Sequence, residues 1–357
     1  MKKIILILLL LTLTGCKDYT EINDLAIVSG IIIDYVDNKY EITSELIIND
    51  KESELQILTT KSTSIDEAIK EMSKLTNKKV FIPHLKVLII TDNILKSDID
   101  YYDYFLRNSK SSMNFFVYYI DSNIKDKIFR INDKNDKNAL HIEKMLEFNK
   151  QIFSSSTPLS FIDLVYKKLE PGIDIIYPRI EIVNNNEKDI LYLSNQISYQ
   201  NNKIIEFTEN ESITYNILTN TIDKSSITVK CDNETFTMQI QDIKTKYKWK
   251  NNIFNINTSL DAKITDYECK YDLNDINSLK KLEKLSKDYM NDEINNLVNK
   301  TKKDNNDILG IENYIYKHDK NYNKKKFNLN NIKNKNDITF NIISTGEIRK
   351  WEIKMKK

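Results

Sequence analysis

Glycine is scarce in this chain of 357 residues, which contains only five. The glycines stand at positions 15, 30, 172, 310 and 346, so no two lie close together in sequence. Loops that cradle phosphate groups need several neighbouring glycines, because the backbone must approach the anion closely. The Gly-x-Ser-x-Gly turn of α/β-hydrolases needs two glycines four positions apart, and no two glycines of this chain have that spacing. The sequence therefore excludes glycine-rich nucleotide loops and a nucleophile elbow.

Cysteine and histidine are equally rare, with three of each. His84, His141 and His318 are far apart, and no Cys-x-x-Cys pair exists, so no ligand cluster for a metal is visible. The sequence predicts no metal and no cofactor. Cys231 and Cys269 could form a disulfide outside the cytoplasm, but they do not build a disulfide framework. We take them as unpaired, with pairing as the open alternative.

The sequence also lacks an excess of charge of either sign, since it has 53 basic and 52 acidic side chains and a formal net charge of +1. Nothing in this balance indicates a nucleic-acid partner. Lysine and asparagine are abundant throughout, as expected from an AT-rich genome. The lysine-rich stretch at residues 321–337 is therefore interpreted as a solvated loop. Contact with anionic lipid headgroups, at ~1 kcal/mol per lysine, is the alternative.

No apolar run approaches the ~20 residues that a membrane-spanning helix needs. A short run at residues 4–13 follows Lys2 and Lys3 and leads into Leu13-Thr14-Gly15-Cys16. This is the layout of a secretion signal, and the cysteine at the cleavage position makes it a bacterial lipobox. We expect residues 1–15 to be removed and Cys16 to carry fatty acyl chains such as palmitate. Two chains hold a protein firmly at a membrane.

Strand and helix patterns alternate over the first half of the chain. Ser64 and Glu67 fit a capping box, and Thr157 with Pro158 fits the start of a further helix. This alternation predicts helices packed on a mixed sheet. The strand patterns lie at residues 25–34, 39–48, 86–92 and 115–120, and the helix patterns at residues 65–75, 99–107 and 140–148.

Strand patterns dominate the second half, together with one long helix at residues 275–302 and a shorter one at residues 307–316. The fold class is therefore predicted as α+β, with three consecutive domains, each a mixed or antiparallel sheet packed with helices. The predicted domains are an N-terminal α/β domain at residues 16–187, a small central domain at residues 188–232 and a C-terminal α+β domain at residues 233–357. The further strand patterns lie at residues 190–198, 203–207, 226–230, 235–243, 246–249, 253–260, 337–342 and 347–354, with a short helix at residues 211–218.

No catalytic constellation emerges from the sequence. His84 follows Pro83 directly before a core strand, and spacing supplies neither a nucleophile nor an orienting acid for it. We predict no catalytic residue, and therefore no enzyme.

Four segments together resemble the Ger(x)C family, the lipoprotein C subunits of spore germinant receptors. They follow in the family's order and extend over nearly the whole chain. Within them stand Asp24, Gly30, His84, Lys86, Arg107 and Gly310, which the resemblance implies are structural or interface residues. The segments are Cys16-Lys17-Asp18 running into residues 21–28 with Gly30 and Asp34, then residues 83–90, 103–108 and 307–312.

The resemblance implies a lipoprotein on the outer face of the spore inner membrane. It also implies two membrane partners, a receptor A subunit and a transporter-like B subunit, which together respond to small nutrients. No catalytic residue can be carried over from the family. Whether the C subunit itself binds the germinant stays open.

Two other functions remain as alternatives. A solute-binding lipoprotein would deliver a small nutrient to a transporter, although such proteins usually have two lobes of repeated βαβ units. A lipid-anchored hydrolase is the other, and the sequence nominates no residue for it.

Overall fold

The computed structural model describes residues 21–49, 53–108, 112–131, 137–152 and 154–343. Its elements are packed as sheets and helices, so the chain has an α+β fold. The strands are β1 Leu25–Val36, β2 Lys39–Asn49, β3 Ser53–Ser62, β4 Lys79–Phe81, β5 Val87–Thr91, β6 Phe116–Ile120, β7 Ile176–Asn185, β8 Lys188–Gln200, β9 Lys203–Glu206, β10 Lys224–Cys231, β11 Glu234–Lys250, β12 Ile253–Tyr267 and β13 Lys333–Ile343. The helices are α1 Ile65–Thr76, α2 Asp92–Ser97, α3 Asp103–Arg107, α4 Lys125–Ile128, α5 Asn138–Ile152, α6 Phe161–Leu169, α7 Glu209–Leu218, α8 Ile276–Lys303 and α9 Ile311–His318.

The first sheet contains nine strands in the order β3-β2-β1-β5-β6-β7-β8-β9, with β4 beside β1. Its centre is parallel, from β1 through β5 and β6 to β7, and its two margins are antiparallel hairpins. Helices cover both faces of this centre. Ile31 and Ile33 of β1 pack towards α1, α2, α3 and α6, whereas Ile32 packs towards α4 and α5. A strand buried on both faces must be apolar at nearly every position, and the prediction for residues 25–34 is confirmed.

The second sheet contains four strands in the order β10-β11-β12-β13, and only β12 and β13 are parallel. Its inner face packs against α7, α8 and α9 in one core that includes Met238, Leu260 and Met290. Its outer face is open to solvent, so buried and exposed residues alternate along each strand. The two sheets thus differ in kind, one enclosed by helices and one covered on a single side.

Several local expectations need correction. The helix expected from Thr157 begins at Phe161, with the Ser160 hydroxyl as its cap, and Thr157 is buried in hydrogen bonds instead. Strand β3 had no strong sequence pattern. The stretch at residues 321–337 is a loop only in its first part, because residues 333–337 belong to β13. The predicted strand at residues 347–354 lies outside the described residues.

Cys231 and Cys269 form a disulfide, with their Cα atoms 6.0 Å apart, so the expectation of two unpaired cysteines is wrong. The pair is 38 residues apart in sequence. Cys231 ends β10 and Cys269 follows β12, and the antiparallel strand between them brings both to one end of the sheet. Sequence spacing alone did not reveal this register.

The predicted domain division stays a prediction. β7 and β8 form a hairpin through Asn186 and Glu187, so hydrogen bonds cross the boundary expected after residue 187. None of the helices in the described ranges has the length and apolar composition that a membrane crossing requires.

Candidate functional site: the junction of the two sheets

Two segments far apart in sequence meet where the first half of the chain contacts the second. The connection from α6 to β7 lies against the connection from α8 to α9. The amide of Asp174 donates to the carbonyl of Asp307 at 2.9 Å, and the amide of Asp307 donates back to a carboxylate oxygen of Asp174 at 2.6 Å. The amide of Asn313 donates to the carbonyl of Gly172 at 3.0 Å. Backbone groups of both segments therefore satisfy one another, and we call this contact the junction.

Asp307 holds the start of α9 in place. Its two carboxylate oxygens accept the amides of Ile311 at 2.9 Å and Glu312 at 2.7 Å. These are amides that the first turn of a helix leaves without a partner inside the helix. The carboxyl group is buried, and burial raises its pKa to about 7. The two amides oppose this rise, while the nearby carboxylates of Asp174 and Glu312 add to it.

Glycine is required on both sides of the junction. Gly172 and Gly310 both have positive φ, +70° and +63°, where a side chain is strained. A Cβ at Gly172 would lie 2.6 Å from the side chain of Glu312, and one at Gly310 would lie 3.0 Å from Ile173. Gly310 is the residue that the family resemblance singled out, and its role in this structure is close packing.

A cleft of about 750 Å³ opens beside the junction. Its walls come from residues 94–101, 167–177 and 199–202. Asp174 belongs to both the junction and the cleft, and its carboxylate accepts a hydrogen bond from the Gln200 amide at 2.9 Å. Burial raises the pKa of Asp174 despite that bond and the amide of Asp307.

Side chains of both charges line the cleft, and acidic groups predominate. This mixture suits a small polar molecule with charges of both signs better than an apolar one. The charged side chains are Asp98, Asp100, Lys167, Lys168, Glu170 and Asp174.

Gly30 and Lys86, two further residues implied by the family resemblance, both contact α5 or the residues packed with it. A Cβ at Gly30 would lie 2.7 Å from the ring of Phe129 and 2.8 Å from the side chain of Ala139, so glycine lets the helix approach β1. One turn further along α5, Glu143 pairs with Lys86 at 3.3 Å. Gly30 and Lys86 therefore position the same helix on the sheet.

The other residues implied by the family resemblance, His84, Arg107 and Asp24, do not lie in one site. His84 is exposed, with its ring 5.7 Å from that of Phe81. Arg107 is exposed and pairs with Asp103 within α3. Asp24 is exposed in a short 3-10 turn before β1. The predicted lipidation site, Cys16, lies outside the described residues.

Two buried carboxylates were not singled out as site residues by sequence reasoning. Glu45 accepts hydrogen bonds from the Ser29 hydroxyl at 2.6 Å and from the amide of Ala139 at 3.2 Å, and so holds the start of α5. Burial raises its pKa against those bonds. The only signal in the sequence is a charged residue inside an apolar strand.

Asp34, at the end of the apolar part of β1, pairs with Lys125, which also contacts Glu41 at 2.6 Å. Thr91 and Asn93 donate to the same carboxylate at 2.6 and 2.9 Å. Burial alone would raise the pKa of Asp34, but the Lys125 ammonium and these donors outweigh it, and the pKa is lowered.

Within the described ranges, no group of three His, Cys, Asp or Glu side chains is arranged to hold a metal ion. The residues assembled at the junction position backbone and helices, and of its hydrogen-bonding residues Asp174 also lines the cleft.

Family models match both halves of the chain. Residues 18–182 match the model described as the spore germination protein N-terminal domain. Residues 197–350 match the model described as spore germination B3/GerAC like, C-terminal. The two matches cover most of the sequence, and the chain belongs to this family, the Ger(x)C proteins of germinant receptors.

Individual relatives agree with this assignment. Spore germination protein A3 of Bacillus subtilis (strain 168) is 23% identical over 274 residues, covering 72% of this chain and 71% of that protein. The crystal structure of the GerBC protein superposes with a TM-score of 0.53 at 17% identity, covering 88% of this chain and 97% of that one. The second likeness shows a shared fold. The junction joins the two regions that the family models match separately.

Proposed function

We propose that this chain is a non-enzymatic, membrane-anchored lipoprotein subunit of a nutrient germinant receptor. It acts in spore germination by contact with the A and B membrane subunits, on the outer face of the spore inner membrane. Family membership across both halves supports the receptor assignment. The segment Leu13-Thr14-Gly15-Cys16 supports the anchor.

The observation that favours action through protein contacts is an exposed apolar stripe on α6. Ile162, Tyr166 and Leu169 follow one another at helical spacing and are 60%, 47% and 71% exposed. Contiguous exposed apolar side chains commonly mark interaction sites. The helix leads directly into the junction, and Tyr166 accepts a hydrogen bond at 2.7 Å from Lys317 of α9. A partner on this stripe would therefore touch both halves of the chain.

Co-purification from spore membranes tests the protein contacts. The double variant Ile162→Asp, Leu169→Asp is expected to lose most of the A and B subunits that the unaltered chain retains. Leu75→Asp, Ile276→Asp is the matched control, because it changes an exposed leucine on α1 and an exposed isoleucine on α8, both outside the stripe. Retention of both subunits by the double variant would exclude α6 as the contact. If the unaltered chain retains neither subunit, the receptor-subunit proposal itself is wrong.

Labelling of growing, sporulating cells with palmitate tests the anchor. Labelled acyl chains are expected on the unaltered chain and on the variant Cys231→Ala, Cys269→Ala, but not on Cys16→Ala. Label on Cys16→Ala, or none on the unaltered chain, would contradict lipidation at Cys16.

A second function, solute binding, is favoured by the cleft beside the junction. Its volume of about 750 Å³ lies within the range of small-molecule sites. Calorimetry with single amino acids and sugars tests this candidate. A saturable heat that Lys168→Ala weakens and Lys188→Ala leaves unchanged would support it, since Lys168 lines the cleft and Lys188 does not. Absence of heat with every nutrient that triggers germination would reject it.

A further inference from the structure

The outer face of the second sheet carries a cluster of lysines. Outward positions on β11 alternate with inward ones, and the last four outward positions are all lysine. The neighbouring end of β13 adds two more outward lysines. We call this set the lysine face, and its members are Lys244, Lys246, Lys248, Lys250, Lys333 and Lys335.

Strand register brings these six residues together. Lys248 pairs with Asn255 of β12, which in turn pairs with Lys335 of β13. Lys250 and Lys333 are likewise joined through Ile253. Successive outward residues lie ~7 Å apart along a strand, and strands lie ~4.8 Å apart, so the lysine face measures roughly 20 by 10 Å. The two lysine groups are 83 or more positions apart in sequence and become neighbours only because β13 is parallel to β12.

The lysine face carries a net positive charge. All six lysines are exposed, and none has an acidic partner within the described part of the chain. Asp337, in the row of Lys246 and Asn257, is the one acidic side chain described in the four cross-strand rows that hold these lysines. Basic and acidic side chains are nearly equal in number over the whole sequence, so this face is a local separation of charge.

The residues between the lysines indicate which partner the face suits. The other outward positions of these rows are occupied by Ile253, Asn255, Asn257, Ser259 and Thr339. None of the outward positions in these four described rows holds an arginine, the residue whose paired hydrogen bonds recognise individual phosphates. The same described positions hold no aromatic side chain that could stack on a nucleic-acid base. Flexible point charges on an open surface match a broad negative potential.

We propose that the lysine face lies on a membrane surface rich in anionic phospholipid. Each lysine near such a surface strengthens binding by about fivefold, and several acting together give stable attachment. The opposite face of the same sheet is sealed by α8, so this contact leaves the core undisturbed. The proposal goes beyond the receptor function, and it does not require the lipid anchor on Cys16.

Sedimentation with lipid vesicles tests the lysine face without the anchor. A chain that begins at Lys17 contains every residue described in the structure and lacks the lipidation site. It is mixed with vesicles of phosphatidylglycerol and phosphatidylcholine in equal parts, and with vesicles of phosphatidylcholine alone. Binding is expected only to the first kind, and it should fall steeply as salt is added, because the screening length shortens from ~10 Å at 0.1 M to ~3 Å at 1 M.

A charge-matched pair of variants assigns the binding to this face. The variant Lys244→Gln, Lys246→Gln, Lys248→Gln, Lys335→Gln should bind at least 100-fold more weakly. The control Lys188→Gln, Lys203→Gln, Lys280→Gln, Lys284→Gln loses the same four charges from exposed positions elsewhere and should bind as the unaltered chain. Outward lysines carry no core contact, so equal thermal midpoints of both variants verify folding.

Three outcomes would overturn the proposal. The first is no binding of the unaltered chain to anionic vesicles, and the second is equal weakening in both variants. The third is binding to soluble polyglutamate but not to vesicles, which would assign the face to an acidic polypeptide. None of these depends on lipidation of Cys16 or on the receptor subunits, so they are distinct from failure of the proposed function.

Discussion

Asp34 in the first sheet and Asp307 at the junction are both buried carboxyl groups, but their pKa values are shifted in opposite directions. Asp34 receives a cation, Lys125, and its pKa is lowered. Asp307 receives helix amides in place of a cation, and burial, with the nearby carboxylates of Asp174 and Glu312, raises its pKa to about 7. A full counter-charge keeps a buried group ionised, whereas partial charges on amides do not offset the desolvation of Asp307.

The first sheet and the junction are stabilised by different kinds of interaction. The first sheet is enclosed on both faces, and its polar end is held by an ion pair inside that enclosure. The junction is held by backbone hydrogen bonds and by two glycines that allow close approach. We therefore expect the first region to respond most strongly to loss of a charge, and the second to respond to added volume and to pH.

Removal of the cation should have the largest effect. Lys125→Met leaves the Asp34 carboxylate buried without a counter-charge, and we expect the free energy of unfolding at neutral pH to fall by about 3–5 kcal/mol. Urea denaturation measures this loss. Lys127→Met, two residues away, removes an exposed lysine that pairs with Asp189 at 3.4 Å, and should cost less than about 1 kcal/mol. Equal losses in the two variants would show that the buried Asp34–Lys125 ion pair stabilises the fold no more than an exposed pair does.

Added volume at the junction should have the next largest effect. Gly172→Ala places a methyl group 2.6 Å from Glu312 at a positive φ, and we expect a loss of about 2–4 kcal/mol in unfolding free energy. Combination with Glu312→Gly, which removes both the Cβ and the Cγ that the methyl group would meet, should relieve the steric part and leave only the backbone strain of about 1–2 kcal/mol. Urea denaturation of the double-mutant cycle measures this coupling. Strict additivity would place the cost entirely in the backbone.

Local patterns were enough to predict much of the fold. The apolar run at residues 25–34 became the doubly covered strand β1, and residues 275–302 became α8, capped by Asp275. The capping box was half right: the Ser64 hydroxyl accepts the amide of Glu67, whereas the Glu67 carboxylate binds the hydroxyls of Ser62 and Thr63. Signals of this kind depend on residues within one helix turn or one strand.

The junction could not be predicted in the same way. Its partners Asp174 and Asp307 are 133 residues apart, and nothing local to either segment indicates the other. The family resemblance nominated Gly310 but not Gly172, although both are needed for the same close approach. Lysine occupies every second position from 244 to 250 in the sequence, but nothing in the sequence indicates the parallel register that adds Lys333 and Lys335. Local sequence patterns therefore do not predict which distant segments pair with each other.

The smallest expected effect is a pH dependence that distinguishes the junction from the first sheet. The Asp307 carboxyl releases its proton near pH 7 in the folded chain, against a usual pKa of 3.8. Between these values the folded chain holds the extra proton, so stability falls as pH rises. Relative to Asp307→Asn, which cannot titrate, the unaltered chain should lose about 2 kcal/mol of unfolding free energy between pH 5 and pH 7. Urea denaturation at both pH values measures this difference.

Asp275→Asn is the control for this titration. The pKa of Asp275 is lowered, first by the amide of Ser278, so its carboxyl is ionised in both folded and unfolded chains across this window. Its removal should therefore leave the change between pH 5 and pH 7 as it is in the unaltered chain. Asp34 belongs to the same class, because a lowered pKa contributes stability above pH 4 that is lost only as the pH falls further. If Asp307→Asn and Asp275→Asn behave alike, Asp307 is ionised throughout the window, and the contrast between the two buried carboxyl groups disappears.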